Sequence, residues 1–251
     1  MRVTFFGHAS TCIELSETML LTDPILRRRV GALRWTVASP PQAQWAQAHA
    51  VLISHLHLDH CDLPSLDRLG HARTLLVPGG AEPFFRRRGF RKVVGLLPGS
   101  AISIAGVTIS AVEARHDGRR YRLGPHAPAV GYLITAAAGS VYFAGDTDLF
   151  AGMQDLTGRC DVALLPVWGW GRSLGDGHLD PVRAAEAVAR IRPALAVPIH
   201  WGALRPVWEC RTPSPQPADD FAAHARTADV PTEVRVLRPG TSTEWARQSP
   251  V

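Results

Sequence analysis

Short apolar runs recur along this chain, many of them alternating with polar residues, and they break at Gly, Pro or Asp. That pattern marks strands whose successive side chains face opposite sides of a sheet. Val3–Phe6, Cys12–Leu15 and Met19–Thr22 predict the opening of a β-meander, stopped by Asp23-Pro24 because proline disfavours continuation. Ala50–Ile53, Thr74–Val77 and Lys92–Val94 predict further strands. Ala101–Ile104 and Val107–Val112 predict two more, with Ala105-Gly106 as their hairpin link. Val130–Ile134, Ser140–Ala144, Asp161–Pro166 and Ala194–Ile199 complete the buried set, and Val234–Leu237 reads as an edge strand.

Helical stretches are fewer. Asp62 ahead of Leu63-Pro64 is a helix start, and Gly70 stops that helix after Leu69. Asp180 as N-cap and Pro181 as first helical residue open a helix over Val182–Ile191, where Val182, Ala185, Val188, Ala189 and Ile191 form an apolar face. Glu82–Arg88 and Ala218–Thr227 read as helices, and Gln42–His49 as a short one. Val30–Pro41 has few cues and reads as a loop overhanging whatever lies below, with Trp35 as core or lid. Thr212–Pro217 reads as a proline-rich loop. No repeat of fixed period and no linker interrupts the chain, so a single domain over residues 1–251 is expected.

Composition narrows the class. With 251 residues, 46% of them hydrophobic, the chain can bury a large core. No apolar window is long enough for a membrane span, and Met1–Phe6 lacks the zones of a signal peptide, so a cytoplasmic protein is expected. Cys12, Cys61, Cys160 and Cys210 are scattered and fit reduced thiols better than a disulfide framework. Cys61, beside the richest motif, is read as packing against the site rather than as a ligand. Lys and Arg exceed Asp and Glu by 27 − 22, or +5. The clusters Arg27-Arg28-Arg29 and Arg86-Arg87-Arg88 read as solvated surface, and without interleaved aromatics they do not make nucleic acid the expected partner.

The chemistry concentrates in Ser54-His55-Leu56-His57-Leu58-Asp59-His60, just after the buried run Ala50–Ile53. Four potential metal ligands in six residues are hard to explain as packing. In an extended segment His55, His57 and Asp59 share a side, so the backbone must turn for His60 to join them. Imidazole with carboxylate suits zinc and its first-row neighbours. His116, Asp146 and His200 likewise each follow the C-terminal end of an apolar strand. Strands ending at one rim can gather such residues. Seven ligands exceed one tetrahedral zinc but fit two metals with a shared carboxylate. His8 and Asp23 also lie just past strand ends, either as turn residues or as supports for the ligands.

The run His55–His60, His116, Gly145-Asp146-Thr147 and Ile199-His200-Trp201-Gly202 resembles the metallo-β-lactamase superfamily. Gly7-His8-Ala9, Asp23-Pro24 and His178-Leu179-Asp180-Pro181 resemble its branch holding ascorbate-6-phosphate lactonase and the N-acyl-phosphatidylethanolamine-hydrolysing phospholipase D. The resemblance spans His8 to about Leu237. It implies an α/β fold, a four-layer αββα sandwich of mixed sheets with metals at one edge. It implies His55, His57 and His116 on one metal, Asp59, His60 and His200 on the other, and Asp146 as bridge, with His126 as competitor to His116.

Two divalent ions, Zn2+ first with Mn2+ or Fe as alternatives, would supply a hydroxide nucleophile and polarise a carbonyl or phosphoryl oxygen. Asp59 is a candidate proton relay, and His178, ahead of a helix N-terminus, a candidate acid or oxyanion donor. Trp168, Trp170 and Trp201 could wall an apolar pocket or pack the sheet edge. Arg115, Arg119, Arg120 and Arg122 favour an anionic substrate. The expectation is a binuclear hydrolase acting on a small anionic phosphodiester or lactone. A nuclease and a non-catalytic metal-binding protein are the competing readings.

Overall fold

The meander over the first strands forms as the pattern requires. In this computed structural model, which describes residues 1–210, 214–228 and 230–247, β1 (Arg2–Gly7), β2 (Ser10–Leu15) and β3 (Thr18–Thr22) pair antiparallel in sequence order. A small hairpin follows, β4 (Arg29–Val30) with β5 (Leu33–Trp35). Then β6 (Ala50–Leu52), helix α1 (Leu63–Leu69), β7 (Thr74–Pro78), helix α2 (Glu82–Arg86) and β8 (Lys92–Leu96) add parallel strands to β3.

The second half repeats the plan with β9 (Ala101–Ile104), β10 (Val107–Glu113), β11 (Val130–Ala136) and β12 (Gly139–Phe143) antiparallel. β13 (Val162–Pro166), helix α3 (Pro181–Ile191) and β14 (Leu195–Ile199) continue it in parallel. After β15 (Leu204–Pro206) and helix α4 (Gln216–Thr227), β16 (Glu233–Val234) closes one edge of the second sheet, and β17 (Thr241–Glu244) returns to pair with β1. Two mixed seven-stranded sheets result, in the orders β17-β1-β2-β3-β6-β7-β8 and β16-β14-β13-β12-β11-β10-β9.

Alternation along the strands builds four layers. Val3, Phe5, Ile13, Leu20 and Leu52 face the second sheet and meet Ile109, Tyr132, Ile134 and Phe143 in the central core. Their neighbours Phe6, Cys12, Leu21 and Val51 face outward, where Leu66 and Leu69 of α1 and Phe85 of α2 cover them. Ala184, Ala187, Val188 and Ile191 of α3 and Phe221 of α4 join the core from the far side of the second sheet. The expected α/β four-layer arrangement with mixed sheets is the one found.

The local signals held where a cap or a break was legible. Asp62 accepts from the Ser65 amide and Asp180 from the Arg183 amide, each opening a helix with proline in its first turn. Gly70 ends α1 at a φ of 87°, and Ala105-Gly106 turns the β9–β10 hairpin with both residues at positive φ. Four expectations need correction. Val30–Pro41 is not all loop: it holds the end of β4 and all of β5, which join β15 in a third, three-stranded sheet whose Val30, Leu33, Trp35 and Leu204 pack with Ile25. Gln42–His49 yields a single 3-10 turn at Gln42–Gln44, where Pro41 at the start offers no capping side chain. The strand over Val234–Leu237 is shorter and earlier. The loop over Thr212–Pro217 lies partly outside the described residues, and α4 has begun by Gln216. Among the described residues no helix is long and apolar enough to cross a membrane.

Candidate metal centre

His55, His116 and Asp146 each sit three residues past a strand end, after Leu52, Glu113 and Phe143, and His200 directly follows Ile199. These strands belong to both sheets and end at one rim. After β6 the chain turns through residues 57–60, where the His60 and Cys61 amides donate to the His57 carbonyl, and this turn brings His60 back beside His55. Gly145 makes the close approach of Asp146 possible. It has a φ of 62°, and a Cβ there would lie 2.5 Å from the Ser54 Cβ. Only glycine fits both conditions.

All seven expected ligands come together. His55, His57 and His116 each bring a ring nitrogen within 4.8 Å of the others; the His57 Nδ1 lies 2.9 Å from His55 Nε2 and 3.1 Å from His116 Nε2. Asp59, His60 and His200 form a second group, with His60 Nε2 and His200 Nε2 3.0 Å apart, and His8 belongs to it as well. Asp146 stands between the two: its Oδ2 is 3.1 Å from His60 Nε2, 3.9 Å from His55 Nε2 and 4.0 Å from His116 Nε2, and its Oδ1 is 3.1 Å from His200 Nε2. His126 is half exposed beside Asp117 and lies outside these groups, whereas His116 lies within one of them. Cys61 packs in the outer core, where burial pushes its thiol up to about 12.

The outer nitrogens decide what the inner ones can do. The Nδ1 atoms of His116 and His200 face the carbonyl oxygens of Gly177 and Trp168, which only accept, so both carry their proton there. His60 Nδ1 faces Asp23 Oδ2 at 2.7 Å and is likewise protonated. The Ser54 hydroxyl donates to Asp23 Oδ2 at 2.5 Å and therefore accepts from His55 Nδ1 at 2.9 Å. In the neutral rings the inward Nε2 atoms of His55, His60, His116 and His200 thus present lone pairs to a shared space. Asp146 Oδ1, buried in that space, makes no hydrogen bond. Two zinc ligands at ~2.0–2.1 Å from one ion stand about 3.3 Å apart when tetrahedral. The observed separations near 3 Å fit such a group of donors, so the residues present suit a divalent cation.

Charge at the centre is poised to match. Burial holds the His55 ring well below its ordinary value and lowers His116 to about 4. Burial, with His200 nearby, lowers His8 to about 3. Burial opposes ionisation of Asp59 and Asp146 too, but His60 beside the first and His200 and His60 beside the second hold both carboxyls well below the usual range. His60 is pushed down by burial, yet Asp146 and Asp59 outweigh that and raise it well above 6.5.

Support residues missed or left open by the sequence are now visible. Asp23 accepts from the Ser54 amide and hydroxyl and from His60. His8 Nε2 and Trp170 Nε1 both lie against Asp59 Oδ2, at 3.1 and 2.9 Å. Among the described residues six non-glycine residues have positive φ, and three of them are His8, Asp23 and His200. Backbone strain of about 1–3 kcal/mol per residue is kept where surroundings over-determine it, as at this rim. Trp201 packs instead, stacked on Phe5 at 5.6 Å, and Trp168 serves through its carbonyl.

His178 completes the centre. Its Nε2 is 3.4 Å from Asp146 Oδ2, and its Nδ1 faces the Gly175 and Asp176 carbonyls, so both nitrogens meet acceptors. Burial disfavours the charged ring, but Asp146 prevails and raises it above 6.5. A cavity of about 490 Å³ opens over these groups, lined by the β4–β5 hairpin, residues 169–175, Arg120 and Trp208.

The β-lactamase superfamily domain matches this chain over residues 18–201. A UPF0173 metal-dependent hydrolase of Opitutus terrae is 34% identical over 97% of this chain and 100% of its own length. One from Methanopyrus kandleri is 30% identical over the same shares. The chain belongs to the β-lactamase superfamily, among the UPF0173 metal-dependent hydrolases. Among solved structures, Igni18, a metallo hydrolase from Ignicoccus hospitalis, superposes with a TM-score of 0.73 at 24% identity, covering 97% of this chain and 98% of that one. An isothiocyanate hydrolase from Delia radicum gut bacteria gives 0.75 at 16% identity, covering 98% and 99%. At those identities the likeness speaks for the superfamily fold alone. Membership in a hydrolase family agrees with the expectation of an enzyme, and the donor groups agree with a need for metal.

Proposed function

We propose that this superfamily member is a binuclear hydrolase working as a single catalytic domain on a small anionic lactone or phosphodiester. His55, His57 and His116 would hold one divalent ion, Asp59, His60 and His200 the other, with Asp146 between them. The observation that carries this reading is the placement of the Asp146 carboxylate, within 3.1–4.0 Å of ring nitrogens from both groups. Zinc is the first expectation for such nitrogen-rich donors, with manganese or iron as alternatives. Ions bound there would activate water and polarise the oxygen of the scissile group.

The chain's own residues have distinct tasks. Asp59 accepts from Trp170 and lies against His8, and it stays ionised, which suits holding a cation better than relaying a proton. His178 lines the cavity with a proton on its inward nitrogen and is the group we assign to protonate the leaving oxygen. Arg120, in the cavity wall, is the cation nearest to an anionic substrate; Arg115 instead pairs with Glu113. The choice between lactone and phosphodiester rests on the likeness of Gly7-His8-Ala9, Asp23-Pro24 and His178–Pro181 to the lactonase and phospholipase D branch. The nuclease reading loses ground because Arg27 is tied to Asp62 and Arg88 lies over Phe84.

The test is metal analysis joined to a substrate panel. Protein loaded with zinc or manganese should carry about two ions per chain and hydrolyse chromogenic phosphodiesters or lactones, with loss on chelation and recovery on reloading. Full metal content with no turnover of either class would remove the reading.

A further inference from the structure

The cavity above the candidate metal centre gathers its histidines and carboxylates at its floor. There it is lined by His57, Asp59, Asp146, His178 and His200. Its walls include Leu33 on the hairpin, Leu58, Trp170, Leu174 and Trp208, with Arg120 as the one charged side chain away from the floor. Arg120 is itself engaged, since its Nη1 donates to the Leu56 and Cys61 carbonyls and its guanidinium lies 5.2 Å over the Phe84 ring. Seven large apolar side chains are exposed among the described residues. Three of them, Leu58 at 43%, Trp170 at 40% and Trp208 at 70%, line this opening. Apolar surface gathered at the mouth of a polar centre is surface that a ligand covers.

Trp170 fixes the wall relative to the floor. Its indole N–H donates to Asp59 Oδ2 at 2.9 Å, so the ring face beside the cavity is held in register with the donor groups. A substrate presenting its scissile group to the floor would send whatever is attached to it along Trp170, Leu174 and Leu33. Nothing along those walls other than Arg120 could pair with a second charge.

We propose that the cavity selects substrates with an uncharged alkyl or acyl arm attached to the hydrolysed group. The proposal rests on the hydrolase reading and narrows it: any negative charge sits in the polar head at the floor, as in a phosphodiester, a lactone is taken uncharged, and the apolar arm lies against the tryptophans. A compact polyanion, such as a sugar phosphate, leaves the wall uncovered and is a poor substrate.

The experiment uses metal-loaded protein and two homologous series, γ-lactones and mono-p-nitrophenyl alkylphosphonates, with straight arms from methyl to hexyl. Expected is a rise in kcat/KM of about 4-fold per methylene until the arm outgrows the cavity. Affinity for carboxylates from acetate to octanoate, read by tryptophan fluorescence on metal-loaded and metal-free protein, should climb in the same way. Leu174→Ala and Trp208→Ala flatten the rise, whereas Leu123→Ala, at an exposed leucine outside the cavity, leaves it. Trp170→Phe keeps the apolar wall but loses the bond to Asp59, so kcat drops at every arm length while the slope persists. Turnover or binding that ignores arm length, or improves when the arm ends in a carboxylate, overturns the proposal. Length-dependent binding with no turnover of any compound supports the arm site and counts against hydrolysis instead.

Discussion

The two histidine groups at the rim differ in what stands behind them. His55 and His116 are backed by neutral partners, the Ser54 hydroxyl and the Gly177 carbonyl. His60 is backed by the Asp23 carboxylate, and its group also contains Asp59. One side thus has two carboxylates close by, Asp23 buried and Asp59 partly so, while on the other His57 and His116 have none behind them, and Asp146 stands within reach of both groups. A carboxylate behind an imidazole fixes its tautomer and raises its basicity. Negative charge that attracts a cation also attracts a proton, so the charged side should bind metal more tightly and feel pH more strongly. Ser54 joins the halves, holding Asp23 through its amide and hydroxyl while accepting from His55.

Removing the shared anion should have the largest effect. Asp146→Asn leaves buried imidazoles facing a neutral amide, and breaking a buried charge set costs on the order of 3–5 kcal/mol. Metal content should fall on both sides, with activity lost; loss from one side alone would break the symmetry of Asp146's role. Asp23→Asn comes next. It should cut affinity by about 10–100-fold for one ion only, that of His60, which competition titration against a chelator resolves.

The pH response sharpens the contrast further. His60 is raised in the cation-free protein, so near neutrality loading its side must expel a proton, and affinity there should fall as pH drops below that raised value. His116, lowered to about 4, is neutral throughout this range, so the other side should stay insensitive until pH approaches that value. Calorimetry in buffers of different ionisation enthalpy would count the released protons; equal release from both sides would contradict the asymmetry. Ser54→Ala should be the mildest, lowering affinity on both sides by a few-fold, about 1 kcal/mol for a lost neutral hydrogen bond.

Much of this candidate centre was legible because its candidate ligands lie next to strand ends, where an apolar run stops and a His or Asp follows. His55, His116, Asp146 and His200 all announce themselves that way. The support shell was not, because its work is done by conformation and long-range contact. His8 and Asp23 depend on positive φ, which their residue types permit but do not declare. Trp170 meets Asp59 across 111 positions of chain. The hairpin over the cavity was read as loop because β4, β5 and β15 have two or three residues each, too short for a period. β17, Thr241-Ser242-Thr243-Glu244, is polar and mostly exposed; only its pairing with β1, at the opposite end of the chain, makes it a strand.

His55, His57 and His60 hang from the first sheet, His116, Asp146 and His200 from the second. A cation shared among them would also act as a rivet between the halves of the molecule. Ligand linkage at a thousandfold excess over the dissociation constant adds about 4 kcal/mol to the folded state. Melting temperature then becomes a gauge of occupancy, useful for zinc, whose filled d shell gives spectroscopy nothing to see.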